Sequence, residues 1–246
     1  MKNYALITGG TGGIGLSVAV ELGKAGYDII ITGIDVEASK KALEELSSNS
    51  ITAEFIACDS TNEEAVNKCF EYVTEKYGKL DVLVNNVGGL GGRQRFEGME
   101  TEFFRKVMAL NFDSAFFTSR AAIPLLKKGE NASIINYSSI AVYSGGGIGA
   151  GIYAASKGAV EVLTRAMAKE LAEFNIRVNA VSPGTIDTPF HAATSKEVME
   201  SWKAGILMKR FGDPKEVASV IEFLASEKAS YLTGEVIQIN GGQAFL

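Results

Sequence analysis

Histidine, tryptophan and cysteine are scarce in this 246-residue chain, which has one His, one Trp and two Cys. A lone His191 with no Cys or carboxylate at ligand spacing does not build a metal site, so none is expected. Cys58 and Cys69 are too few for a disulfide framework and read as small core or surface residues. Positive charge is also short: 24 Lys and Arg face 29 Asp and Glu, for a net charge of −5. A nucleic-acid surface needs a basic patch that is not evident here, and that class of partner is set aside. No apolar run is long enough to span a bilayer and no charged leader precedes "YALITGG", so the expectation is a cytoplasmic chain with no membrane partner. "NAS" at 131–133 matches a glycosylation acceptor, which has no meaning without export. No linker, low-complexity tract or repeat divides the chain, which leaves one domain over 1–246.

What is present is an ordinary reserve of core residues, 46% hydrophobic against 22% charged, distributed in an alternating pattern. Strands are expected at "YALIT" (4–8), "DIIIT" (28–32), "TAEFIAC" (52–58), "DVLVNN" (81–86), "SIINYSS" (133–139), "IRVNAVS" (176–182) and "VIQIN" (236–240). They are apolar on both faces, as strands covered by helices on each side must be. Between them run helical stripes, Ile14, Val18, Leu22 and Ala25 in one and Val160, Leu163, Met167 and Leu171 in another. Strand–helix alternation of this kind specifies a parallel sheet, because right-handed crossovers place a helix between neighbouring strands. The fold class is therefore α/β: one doubly wound domain of about seven parallel strands with helices on both faces.

Two glycine clusters precede helices. "ITGGTGGIG" follows the first strand at once, so Gly9, Gly13 and Gly15 fall where a chain turns tightly and a pyrophosphate can approach backbone N–H groups. The spacing is G-x-x-x-G-x-G, which fits either a nucleotide turn or a plain tight connection. The second cluster, "SGGGIGAG" (144–151), starts several residues past a strand end and reads as a substrate-side loop.

"TGGTGGIG" (8–15), "NNVG" (85–88), the Asn of "LNF" (111), "YSS" (137–139), "YAASK" (153–157), "PGTIDT" (183–188) and "YLTGEVIQINGG" (231–242) stand in the order and rough spacing of the short-chain dehydrogenases/reductases. The chain resembles that family along its whole length. The resemblance implies a Rossmann-type fold, a nicotinamide cofactor and hydride transfer between an alcohol and a carbonyl. It also implies a catalytic set of Asn111, Ser139, Tyr153 and Lys157. Four residues along a helix put Tyr153 and Lys157 on one face, so an ammonium there, together with a positively charged nicotinamide ring, would draw the phenol down from its usual ~10 toward neutrality. Tyr153 would then act as general acid/base, while Ser139 donates to the same substrate oxygen. In the family the matching serine is the second of an "SS" pair, which selects Ser139 over Ser138. Asn111 would hold a local helix break and a water that links Lys157 to solvent, and Lys157 would also bond the nicotinamide ribose.

Resemblance further assigns the glycine turn with Thr11 and Ile14 to the cofactor, Asp59 with Ser60 to the adenine end, and Asn86 and Gly88 to the adenine ribose. After Pro183 and Gly184, the residues Thr185, Ile186 and Thr188 would meet the nicotinamide carboxamide and a phosphate. The cofactor expected is NAD(P)(H). At the end of the second strand Gly33 occupies the usual acidic position of NAD enzymes and Ile34 the usual Arg position of NADP enzymes. With no carboxylate to repel a 2′-phosphate, and with Ser39, Lys40 and Lys41 close in sequence, the reading leans to NADP(H); a bent loop that returned Asp35 would oppose it.

The segment 186–210 fills the place of the family's substrate lid, and "GGLGGRQRFEGM" (88–99) that of the opposite rim. Phe190, His191, Trp202 and Met208 line an apolar pocket in one reading and pack the lid in another. The substrate expected is a small alcohol or ketone. A 3-oxoacyl-[acyl-carrier-protein] reductase is the alternative, although Glu173, Phe174 and Asn175 precede "IRVN" where such reductases tend to carry an Arg. A non-catalytic dinucleotide-binding redox sensor or scaffold would share the glycine turn and the fold, but has no chemical need of the four-residue set. Family members commonly form dimers and tetramers through two long helices, here about 101–128 and 152–174, and through the C-terminal strand region. A homotetramer is expected.

Overall fold

The computed structural model describes residues 2–188 and 196–245. Seven strands form one parallel sheet: β1 (Asn3–Thr8), β2 (Tyr27–Gly33), β3 (Ala53–Ala57), β4 (Val82–Asn85), β5 (Ser133–Tyr137), β6 (Arg177–Pro183) and β7 (Val236–Ile239), in the order β3-β2-β1-β4-β5-β6-β7. All seven fall on the apolar runs read from sequence. The run at 133–139 ends as a strand at Tyr137: Ser138 N–H still reaches Val181 O at 2.8 Å, but Ser139 Oγ accepts from Ala141 N–H at 3.2 Å and turns the chain away. The order of strands reverses between β1 and β4, which opens a crevice beyond their carboxyl ends where ligands of doubly wound sheets bind.

Adjacent residues of each central strand serve opposite layers of core. Ile7, Ile31, Val84 and Ile135 pack with Val18, Leu22, Val217 and Ile221 on one face. Leu6, Ile30, Leu83 and Ile134 pack with Val66, Phe70, Leu125 and Met167 on the other. The strand period of two explains why these runs are apolar throughout, and burial of such side chains contributes about 2 kcal/mol each. The helices that cover the sheet are α1 (Gly13–Lys24), α2 (Val36–Ser48), α3 (Glu63–Tyr77), α4 (Thr101–Met108), α5 (Ser114–Leu126), α6 (Ala141–Ser144), α7 (Gly151–Leu171), α8 (Lys196–Gly205) and α9 (Pro214–Ala225). The stripe expected on α1 holds at Val18 and Leu22, both fully buried, but Ala25 is exposed at the C-cap because the helix stops at Lys24, ahead of Gly26 at φ +98°. The expected long helix over 101–128 is interrupted by a π turn, Ala109–Asp113, between α4 and α5.

Side-chain caps close α2 (Asp35), α3 (Asn62) and α9 (Asp213, with Pro214 first in the helix and Glu216 returning the bond). Helix α1 has none: its N-cap is Gly12, and no acidic residue lies in its first turn. Its first N–H groups are left for an external acceptor.

Candidate active site

The turn between β1 and α1 is shaped for close approach. Gly9 and Gly13 have φ of +63° and +54°, which favours glycine. A Cβ on Gly15 would lie 2.4 Å from Gly9 O and 2.6 Å from Asn86 Nδ2. Gly10, which sequence reasoning passed over, has no room because its Cβ would meet Ile31 Cγ2 at 2.5 Å. By contrast a Cβ on Gly12 would meet nothing within 4 Å. The open flank of the turn and the uncapped start of α1 border one cavity, a combination suited to a pyrophosphate. Asn86 fastens the turn to the end of β4, its Nδ2 donating to Thr8 O at 2.9 Å and Gly9 O at 3.0 Å. Val87 N–H adds a bond to Thr8 Oγ1 at 3.1 Å. The amide of Asn86, which the resemblance assigns to the adenine ribose, thus also holds the glycine turn in place.

From there a cavity of about 980 Å³ runs to the start of α7. Ser139, Tyr153 and Lys157 all line it. The Ser139 hydroxyl lies near enough to the Tyr153 phenol to work against the rise that burial causes in it. Ser138 also borders the cavity, but its Oγ is committed, donating to Glu161 Oε1 at 2.7 Å, an atom that also accepts from Tyr143 Oη at 2.9 Å. Glu161 is buried, and pins both the strand end and α6 behind the site. This network joins residues more than twenty positions apart, and no sequence signal announces it.

Asn111 sits in the π turn, fully buried, with Nδ2 donating to Val107 O and Gly89 O and Oδ1 accepting from Gly89 N–H, all at 2.9 Å. Lys157 extends Nζ to Tyr137 O at 3.0 Å. Gly88 separates the two, since a Cβ there would stand 2.7 Å from Lys157 Nζ and 2.9 Å from Asn111 Oδ1. The four-residue set is therefore brought together by β4, β5, the π turn and α7.

The electrostatics differ from the sequence expectation. Burial pushes the Tyr153 phenol above its ordinary value, and the Ser139 hydrogen bond opposes it. Without the charge of a cofactor, the neighbouring amine does not offset that rise. Its Nζ is committed to Tyr137 O, and burial has lowered Lys157 itself from 10.5 to about 8. Both groups share the same cause, loss of water around the charged form, and it moves an acid and a base in opposite directions.

Pro183, Gly184, Thr185, Ile186 and Thr188 continue the wall. Gly184 is set by proximity, its Cβ position lying 2.7 Å from Gln243 Oε1 and 2.9 Å from Asn240 Cα. Gln243 in turn accepts from Thr185 N–H at 3.0 Å. Thr188 approaches Gly13, with Cγ2 3.9 Å from where a Cβ would be.

The residues assigned to the adenine end stand outside this cavity wall. Gly33 is next to it, its Cβ position 3.5 Å from Thr11 Cγ2, but the Ile34 side chain projects into solvent. The Asp59 carboxylate is occupied by Thr61 N–H at 2.9 Å and Thr61 Oγ1 at 2.7 Å. Ser60 is buried, its Oγ without a hydrogen-bond partner among the described residues. Asp35 Oδ1 accepts from Ala38 N–H at 2.9 Å as the cap of α2, which ties that oxygen to the helix. Two of the three residues expected to attract a 2′-phosphate are also engaged: buried Ser39 donates to Val36 O, and Lys40 pairs with Glu37.

Around the substrate end, Gly88, Gly89, Leu90, Gly92 and Arg93 form one rim and Ser144, Gly146, Gly147 and Ala150 another. The rims are not separate. Gln94 N–H donates to Gly149 O at 3.0 Å and Arg93 Nη1 to Ile148 O at 3.1 Å. Trp202 of α8 lines the cavity, whereas Met208 lies away from it because its N–H is drawn to Gly241 O at 3.1 Å. Phe190 and His191 lie outside the described residues.

The family model described as enoyl-(acyl carrier protein) reductase matches residues 9–244. The 3-oxoacyl-[acyl-carrier-protein] reductase FabG of Aquifex aeolicus is 37% identical over 239 residues, covering 97% of this chain and 96% of its own. Among solved structures, a short-chain dehydrogenase/reductase of the glucose/ribitol dehydrogenase type from Brucella melitensis superposes with a TM-score of 0.92 at 34% identity, over 100% of both chains. An NADH-dependent reductase, A1-R′, responsible for alginate metabolism, superposes with a TM-score of 0.91 at 34% identity, over 100% of this chain and 98% of its own. With the glycine cradle and the Ser–Tyr–Lys cluster on one cavity, these matches place the chain in the short-chain dehydrogenase/reductase family, NAD(P)-dependent oxidoreductases that pass a hydride between a nicotinamide and an alcohol or carbonyl carbon.

Proposed function

We propose that the chain reduces a small ketone, or oxidises the matching alcohol, with Tyr153 as the proton donor and acceptor. The observation that carries this reading is that Ser139, Tyr153 and Lys157 line one cavity together with the glycine cradle. When bound, the nicotinamide cofactor supplies or accepts the hydride. Ser139 orients the substrate oxygen and stabilises charge on it. Tyr153 Oη delivers a proton to that oxygen in reduction and takes it back in oxidation. Burial keeps the phenol protonated at neutral pH, which suits the reductive direction. Lys157, between Tyr137 O and Asn111, supports the cofactor ribose and passes protons outward. The test is Tyr153→Phe: turnover falls at least ~100-fold while cofactor affinity is retained. Unchanged turnover removes Tyr153 as the acid/base, and a protein that binds cofactor but reduces nothing in a broad panel is the sensor or scaffold instead.

NADP(H) is the proposed cofactor, on the ground that the end of β2 offers no free carboxylate for a ribose 2′-OH: Gly33 has no side chain and Asp35 caps α2. The reading for 3-oxoacyl-carrier-protein thioesters is kept second on the strength of the Aquifex relative. Residues 186–210 are proposed as the substrate lid, since Ile186, Thr188 and Trp202 border the cavity. The absence of a bilayer-length apolar helix among the described residues fits a cytoplasmic placement. A homotetramer is proposed from exposed apolar residues on α4, α5 and α7 (Phe104, Phe116, Val162) and near β7 (Tyr231, Phe245); a monomeric mass by light scattering would overturn it.

A further inference from the structure

Arg93 is the one charged residue on the described cavity wall that the proposed chemistry leaves unused. The only other charged lining residue is Lys157, and neither Asp nor Glu lines the cavity among the described residues. Arg93 is exposed at the rim, and a site built for a neutral ketone has no need of a guanidinium there that no carboxylate among the described residues compensates.

The arm that carries Arg93 is shaped to hold it there. Gly91 and Gly92 have φ of +68° and +124°, so the backbone bends sharply just before the arginine. On the facing loop, Gly147 and Gly149 leave the space it fills: Cβ atoms there would stand 3.3 Å from Arg93 Nη1 and 3.1 Å from Arg93 Cβ. Nη1 donates to Ile148 O at 3.1 Å. That bond fixes the side chain without spending its charge, because a carbonyl is neutral. Among the described residues no carboxylate pairs with Arg93, and the Nε–Nη2 edge of the fork makes no hydrogen bond. A guanidinium edge of this kind is matched by a planar anion that accepts two parallel bonds.

We infer that the substrate carries a carboxylate and that Arg93 binds it, so that the enzyme acts on a small oxo acid or hydroxy acid rather than on a neutral ketone. The inference rests on the oxidoreductase reading above and deepens it. A plain structural tie between the two rims is the competing explanation, and it predicts equal effects on every substrate. The glycine cradle and the start of α1 take the cofactor phosphates, which leaves Arg93, on the side of the Gly146–Gly149 loop and α7, to the substrate.

The experiment is steady-state kinetics on matched pairs, each a short-chain oxo acid and its methyl ester, with a phosphate-bearing ketone of similar length as a third arm. The proteins are the wild type, Arg93→Gln and Arg93→Lys, with Arg95→Gln as control, since Arg95 lies on the same arm but off the cavity wall. The wild type prefers the acid. In Arg93→Gln, whose amide can still reach Ile148 O, the acid-to-ester ratio of kcat/KM falls about 10- to 100-fold, mainly through KM for the acid. Arg93→Lys recovers part of the ratio, and Arg95→Gln keeps it. Equal losses on acid and ester, a wild type that prefers the ester, or a preference for the phosphate-bearing ketone over the acid would each overturn the inference. Absence of hydride transfer to any member of the panel would instead defeat the oxidoreductase reading beneath it.

Discussion

Replacing Lys157 with Met should stabilise the cofactor-free protein near neutral pH while destroying the site. The ammonium is almost wholly buried and holds one neutral acceptor, Tyr137 O at 3.0 Å. Burial lowers its pKa from 10.5 to about 8, which corresponds to roughly 3 kcal/mol against the charged form at 1.36 kcal/mol per pH unit. A methionine of similar length removes that cost but forfeits the bond to Tyr137 O, which contributes about 1.5–3 kcal/mol from a charged donor. The net at pH 7 is a gain of about 1 kcal/mol, or about 2–4 °C in Tm for a chain of this size. Below pH 8 the lysine is charged in both the folded and unfolded chains, so the whole cost is present. As pH rises, the folded lysine loses its proton near 8 while the unfolded one keeps it to 10.5, and the wild type recovers roughly 2–3 kcal/mol relative to the variant between pH 7 and pH 10. Urea unfolding of both proteins at several pH values in that range reads this directly: the two stability curves cross. Parallel curves would refute the buried-charge argument, because every other titrating group is common to the two proteins and cancels.

Gly88→Ala should fold and bind cofactor yet lose activity, since the added methyl at 2.7 Å from Lys157 Nζ and 2.9 Å from Asn111 Oδ1 displaces the flexible lysine rather than the backbone; single-turnover rates are expected to fall on the order of 100-fold, as misplacement by about 1 Å does elsewhere. Steady-state kinetics with both cofactors on one substrate should give the higher kcat/KM with NADPH, and a large preference for NADH would show that the free end of β2 does not decide the choice. Gly33→Asp should then shift the ratio toward NADH, because a carboxylate at that position accepts a ribose 2′-OH and repels a 2′-phosphate.

The sheet could be read from the chain because its strands are apolar on both sides, and a strand between two helical layers has no other way to be written. Val82–Asn85 and Ser133–Tyr137 are buried at every position, so the runs "DVLVNN" and "SIINYSS" announced them, with only the ends misplaced. Strand ends depend on bonds made across the fold, such as Ser139 Oγ with Ala141 N–H, and these leave little mark in hydrophobicity. Ala25 failed for a related reason: apolar spacing continues past Lys24, but the turn through Gly26 that stops the helix is a backbone matter.

In the site, what was legible was which side chains would share one cavity, and what was not was the shell that sets their charge. The spacing of Tyr153 and Lys157 gives a shared face, yet it does not say that Lys157 will point at Tyr137 O, sixteen residues before the helical pair. It also does not say that the pair will be dry. A sequence gives proximity, but it does not show that in the cofactor-free protein burial is the largest influence on both groups, raising the phenol and lowering the amine. The same reasoning explains why Arg93 went unremarked within "GGLGGRQRFEGM". An arginine in a glycine-rich arm is unexceptional until the facing loop is seen to have glycines where the side chain lies, and until the wall around it is seen to hold no acid. Its meaning resides in the lack of a carboxylate partner among the described residues, which can be observed only once the chain is folded.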